Sequence, residues 1–407
     1  SQGVSTVTFK DVAARIDATS VHFKSLSSPD KLTILEQNFE YDLVSAQKIL
    51  EKYIDEEIRL ITKQGDVFSG KLLSASSSDV VVQDAEGGIQ VVRGDGIQHF
   101  DFPKLPEGLI TRPTLVWMVD NRGSTSQKTE LSYLTDGVGW HAEYVAVVDA
   151  QDKYIDIGGW VSLENRSGAS YEDAKLKLVA GDVHRVEQRE RYRPSVRKGD
   201  VLLAEAAPQF EEKAFFEYHL YTLQRKTTVK NNQTKQISLF PSTKTRTEKL
   251  FVYDGLSYGT KVRVYVEFKN SKKDGLGIPL PKGKIRVYKE DADGALEFVG
   301  EDLIDHTPVD EKVRVFLGNA FDLVGERVQK SSRKISDRAR EDDVEIFLKN
   351  HKKEDVEIIV VERMYGDWEI RRRSHAFVKK NAWTAEFRIP IPAGGEATLT
   401  YTAMIQW

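Results

Sequence analysis

The chain has 407 residues, 40% of them hydrophobic, and no cysteine, which excludes disulfides, thiolate metal sites, iron–sulfur clusters and a cysteine nucleophile. Its 59 Lys and Arg against 63 Asp and Glu leave a formal net charge of −4, with no global positive excess to recommend nucleic acid or an anionic membrane as partner. At roughly 100–200 residues per domain, two to four domains are expected. The longest apolar stretches, such as Ile358-Ile359-Val360-Val361, are far short of the roughly 20 residues of a membrane span, so no membrane span is expected.

The first zone, 1–107, opens on Ser1-Gln2-Gly3-Val4-Ser5, which has no basic or apolar leader pattern and reads as a processed end. A helix is predicted over 42–55, with Leu43, Ala46, Ile49, Leu50 and Tyr53 on one side at helical spacing. Five short strands follow over 58–62, 67–74, 80–84, 89–93 and 97–102, with tight turns at Gly65-Asp66 and Gly87-Gly88. Gly70, in mid-strand, would let the second of these bend. A helix followed by five short bent strands resembles a small Sm-like or SH3-like barrel. The segment lacks the basic, aromatic face that RNA binding requires, so a structural or protein-docking barrel is expected.

The second zone, 108–325, alternates with period two. Val262, Val264, Val266 and Phe268 share one face of a run whose other face carries Arg263, Tyr265 and Glu267, the pattern of a strand with one side buried. A large β-sandwich is expected here, with a polar surface excursion near 184–212. Trp140 and Trp160 are expected to bury large areas where strands meet, and Asn165-Arg166-Ser167-Gly168 to form a turn. The prolines of Gly277-Ile278-Pro279-Leu280-Pro281-Lys282-Gly283 predict an extended connection into an edge strand. A second polar run, 326–343, reads as a solvated linker to a third zone, 340–407, whose size and strand density suit an immunoglobulin-like β-sandwich. The fold class is therefore mainly β.

Several separated stretches carry a family resemblance. They are Tyr133-Leu134-Thr135-Asp136-Gly137-Val138-Gly139-Trp140-His141-Ala142-Glu143-Tyr144, then Gly159-Trp160-Val161-Ser162-Leu163-Glu164-Asn165-Arg166-Ser167-Gly168, the Gly277–Gly283 motif, and Gly318-Asn319-Ala320-Phe321-Asp322. Over roughly 105–407 the chain resembles the bacterial family catalogued as domain of unknown function 4139, some members of which are labelled mucoidy-inhibitor-like. The resemblance implies an exported envelope protein, periplasmic or at the cell surface, with a removed signal peptide; a cytoplasmic location is the alternative. It supplies no catalytic residues. Longer relatives carry a β segment and a long paired helix ahead of this domain, and no role of that region transfers to the shorter front end here.

The eight histidines include no His-x-His or His-x-x-x-His pair, and no nucleophile elbow or phosphate-binding loop occurs. No cofactor is expected. The densest polar cluster is Glu301, Asp302, Asp305 and His306, which could ligate a divalent cation or do acid–base work; a solvated turn is the simpler expectation. Asp291-Ala292-Asp293-Gly294 starts like a calcium loop but lacks its twelfth-position Glu, so a hairpin turn is expected. Arg371-Arg372-Arg373 falls on a strand pattern and should not form one basic patch. The resulting expectation is a non-enzymatic protein that works by protein–protein interaction, scaffolding or self-assembly. The alternative is a glycan-binding module or glycan hydrolase that uses exposed aromatics and a carboxylate pair.

Overall fold

The computed structural model describes residues 2–181, 209–291 and 293–407. Within them the chain is mainly β, with 28 strands and two short α-helices. It divides into two compact units. One comprises Ser1–Gly139, Glu164–Glu172 and Val229–Gln233; the other comprises Trp140–Leu163, Asp173–Thr228 and Thr234–Trp407. The stretch 184–200 and its His184 lie outside the described residues.

In the first unit the five predicted short strands are Glu57–Thr62, Val67–Ala75, Asp79–Gln83, Ile89–Arg93 and Ile97–Asp101. They pair antiparallel in sequence order, and the last returns to pair with the first. Leu60, Leu72 and Val82, each with no exposed surface, alternate with more exposed neighbours and form the core with Tyr53 and Ile58. Gly70 sits at φ 156°, where a Cβ would drive into the Gln83 carbonyl, so only glycine permits the bend. The helix is shorter than predicted, spanning Ala46–Lys52. Ser45 caps it by accepting from the Lys48 N–H at 3.3 Å. Leu43 and Val44 instead pair with Ile110, so their apolar side chains serve an extended segment.

Three strands precede that helix where none was predicted. Gly3–Lys10 and Leu32–Glu40 flank Thr114–Asn121 in a three-stranded antiparallel sheet. Strand pairing therefore crosses the predicted boundary at 107, and the five-stranded sheet is inserted between two neighbours of another sheet.

The second unit is dominated by a thirteen-stranded sheet among the described residues. One stretch of it runs through Leu296–Ile304, Gly283–Glu290, Val138–Val148, Tyr154–Asn165, Gln233–Tyr253, Lys261–Lys269 and Lys312–Ser336. The stretch curls, because its first strand also meets its seventh: the Phe316 N–H donates to Asp302 Oδ2 at 2.8 Å. Gly283–Glu290 is not an edge strand as predicted. It pairs parallel with Val138–Val148 on one side and antiparallel with Leu296–Ile304 on the other. The prolines lie ahead of it, where their missing N–H costs no ladder bond, and their carbonyls accept from Tyr221 (Pro279, 2.8 Å) and Tyr144 (Pro281, 2.6 Å). Trp140 and Trp160 are half-buried.

The run 326–343 is not a linker. It forms the ends of Lys312–Ser336 and Ala339–Asn350, which pair as a long hairpin. Its charges pair across the ladder: Arg333 meets Glu341 directly opposite at 2.6 Å, and Lys330, at a bulge, reaches Glu345 at 2.6 Å. Opposite charges directly across a ladder support a strand, and a reading by composition misses that pairing. The predicted excursion also ends early, since Phe210–Phe215 is a strand paired with Tyr218–Leu223. A core of Tyr253, Val262, Ile346, Leu348, Ile358, Val360, Phe387, Ile389 and Leu399, each with no exposed surface, draws on strands from both sides of residue 340.

Three buried asparagines recur as strand-end ties. Asn165 donates to the carbonyls of Ala169, Val229 and Lys230. Asn270 donates to those of Ile278, Thr307 and Pro308. Asn350 donates to those of Glu354, Ile391 and Pro392. Each side-chain oxygen accepts a nearby backbone N–H, from Ser167, Gly277 and Lys352 respectively. These amides satisfy loop carbonyls that the ladders leave over.

Candidate interaction edge

The strand Gly3–Lys10 ends its sheet. Its inner edge pairs with Thr114–Asn121 in register from Gly3 opposite Asn121 to Lys10 opposite Thr114. Valine, threonine and phenylalanine supply the β-branched and aromatic side chains that favour a pleated strand. On that neighbouring strand Leu115, Trp117 and Val119 are buried with Val12 and Phe23. Trp117 stacks on Phe23 with ring centroids 4.6 Å apart, and its Nε1–H donates to Gln37 Oε1 at 2.8 Å. The strand stops at Asp11, whose φ of 66° turns the chain away and whose carboxylate pairs with Arg112.

From Gly3 to Phe9 the strand has no charged residue, no proline and no irregularity of register. Val4 is 64% exposed and Phe9 48% exposed. Three other edge strands are blunted. Leu32–Glu40 carries Glu36 and Glu40 and a bulge between Ile34 and Glu36. Asp367–Arg373 carries three arginines and a bulge between Ile370 and Arg372. Phe377–Asn381 carries Lys379 and Lys380 and a bulge between Lys379 and Asn381. Charge and bulges protect an edge from pairing with another chain, and Gly3–Phe9 has neither.

The candidate metal or acid–base cluster does not converge. Glu301 and Asp302 are neighbours on one strand, so their side chains leave opposite faces. Glu301 pairs with Arg286 at 3.4 Å and Lys284 at 3.5 Å. Asp302 accepts the N–H groups of Phe316 and Leu303. Asp305 is exposed in the following loop, and its backbone carbonyl accepts from Thr307 Oγ1. His306 Nδ1 accepts the Lys282 N–H at 3.1 Å. Among the described residues no group of three or more His, Asp or Glu side chains is placed to hold a metal ion. The predicted turn after Asp291 closes the hairpin of Gly283–Glu290 and Leu296–Ile304, with the Asp291 N–H donating to the Ala295 carbonyl.

Arg371, Arg372 and Arg373 go to different partners: Glu341 and Glu369, Asp343, and the Phe377 ring. The aromatic pairs nearest to parallel, at 18–22°, are Phe23–Trp117, Phe100–Phe102 and Phe387–Tyr401, all packed in cores rather than set out as a glycan platform. No described helix is long and apolar enough to cross a membrane.

Sequence patterning could have found the edge, since Val-Ser-Thr-Val-Thr-Phe is rich in strand formers. That it is an edge depends on which strand pairs beside it. No protein-family model, curated protein or solved structure matches this chain.

Proposed function

We propose that the protein is a non-enzymatic β module that assembles with a second copy of itself by strand addition along Gly3–Lys10. The observation that carries this reading is the uncharged, regular, exposed run Gly3–Phe9, whereas the edges of similar length, Leu32–Glu40 and Asp367–Arg373, carry charges and bulges. An antiparallel two-fold pairing centred on Thr6 sets Val4 against Thr8, Ser5 against Val7 and Lys10 against Gln2. No like charges meet, and each three-stranded sheet continues into its partner's.

The motif stretches given above support membership of the domain of unknown function 4139 family, and with it export to the periplasm or cell surface. Within that reading the five-stranded sheet is a small Sm- or SH3-like barrel, and the region from 340 an immunoglobulin-like sandwich that borrows strands from upstream.

Sedimentation of the purified chain, with cross-linking in intact cells, tests the assembly. Concentration-dependent self-association is expected, and Thr6→Lys with Thr8→Lys should abolish it without loss of the β circular dichroism signal, because both side chains are exposed. A strictly monomeric chain, or cross-links from this strand only to a different protein, would sink the proposal.

A further inference from the structure

The curled sheet of the second unit leaves a cavity of about 230 Å³ at one mouth. Its walls come from both halves of the curl. Val148 lies on one strand, Val264 and Val266 on another, and Val299 and Leu317 on the two that meet. The polar part is made by Asp152, Lys249 and Lys289. Asp152 follows Val138–Val148 in a tight turn with φ 57°, and its two carboxylate oxygens each receive one lysine ammonium. The side chains are only partly open to water, at 19% for Asp152, 28% for Lys249 and 33% for Lys289.

The charges do not balance. Two ammonium groups meet one carboxylate, and Asp152 is the sole acid among the described residues lining the cavity. Burial pushes the Asp152 carboxyl up, but Lys249 and Lys289 outweigh it and hold the group below the usual carboxylate range. It therefore stays ionised, and one positive charge is left over beside an apolar wall. Each ammonium has three N–H donors and gives one to Asp152, so donors remain for a second acceptor. A half-buried surplus charge is expensive unless something pairs with it. The volume is about that of seven or eight waters, below the size of most drug-like pockets, so the occupant is small.

We propose that this mouth binds a small aliphatic monocarboxylate, its carboxylate between Lys249 and Lys289 and its chain along Val148, Val264 and Leu317. One negative charge neutralises the surplus, and the chain covers the apolar wall. Mouths of curled sheets are common places for such ligands.

Calorimetric titration of the full chain with hexanoate, 1-hexanol and inorganic phosphate tests it. Hexanoate should bind, with hexanol and phosphate at least tenfold weaker, because each lacks half of the recognition. Lys249→Met with Lys289→Met should weaken hexanoate at least tenfold. Asp152→Asn should strengthen it several-fold by removing the competing carboxylate. Leu317→Trp, which keeps every charge but fills the wall, should abolish binding and covers the case in which the lysine variant does not fold. Absence of hexanoate binding at millimolar concentration would overturn the proposal. So would phosphate binding as tight as hexanoate, or undiminished binding by a folded lysine or Leu317 variant.

Discussion

Arg327 and Glu362 form a forked ion pair inside the second unit. Arg327 Nε reaches the Glu362 oxygens at 3.1 and 3.0 Å, and Nη2 reaches Oε2 at 3.0 Å. The Glu362 side chain has no exposed surface, and the Tyr401 hydroxyl donates to it as well. Lys312–Ser336, Val356–Arg363 and Glu396–Gln406 are thus joined by one charged network beneath the hairpin.

Removing one partner leaves a buried charge. Arg327→Met is expected to lower stability by about 3–5 kcal/mol, while Arg327→Met with Glu362→Met should recover much of that loss. Urea unfolding of the single and double variants gives the coupling directly. A single-variant cost below about 1 kcal/mol would mean the pair is hydrated.

Glu267 supplies a pH dependence. It is 8% exposed and held by Lys312 at 2.6 Å and Arg314 at 2.7 Å. Burial raises its pKa, but the two cations outweigh this and set it below the ordinary 4.5. A carboxylate with a lowered folded pKa contributes stability above its unfolded value, and that contribution is lost as pH falls through the folded value. Glu267→Gln should therefore cost about 2 kcal/mol near neutrality and progressively less below about pH 4.5. Urea midpoints at about pH 7 and about pH 3 check this; an equal gap at both would contradict it.

Asn350 ties three carbonyls at 2.9, 3.4 and 2.9 Å. Asn350→Ala should cost about 2–3 kcal/mol because those acceptors lose their donor in a buried place. Asn350→Asp should be no better, since a carboxylate has no N–H to give. Thermal unfolding distinguishes this from a surface substitution, which would change little.

Tyr253 points the other way. It has no exposed surface, and its hydroxyl has no hydrogen-bond partner among the described residues. Burial pushes its pKa up to about 12. Tyr253→Phe should raise stability by about 1 kcal/mol, because it removes a buried polar group that gains nothing. A destabilised Tyr253→Phe would show that the hydroxyl has a partner.

Legibility in the sequence follows how local the signal is. The alternation of Val262, Val264, Val266 and Phe268 was readable, and Val262, Val266 and Phe268 are buried. The same pattern leaves the opposite face to solvent, yet Glu267 is buried there under cations from the neighbouring strand. The basic run 327–340 has the composition of a linker because its acidic counterparts belong partly to the returning strand. The strand Gly3–Lys10 carried β-forming residues, but its neighbour lies more than a hundred positions away.

By itself the sequence determined the mainly β class, the five short strands after a helix, the bend at Gly70 and the absence of thiol chemistry. These rest on side-chain period, turn chemistry and residue type, all of which act within a few positions along the chain. Tertiary structure alone decided which strand is an edge, which charges meet across a ladder, and that Asp152, Lys249 and Lys289 share one mouth. Those facts depend on long-range pairing, whose partners are separated by up to 137 residues and leave no local trace.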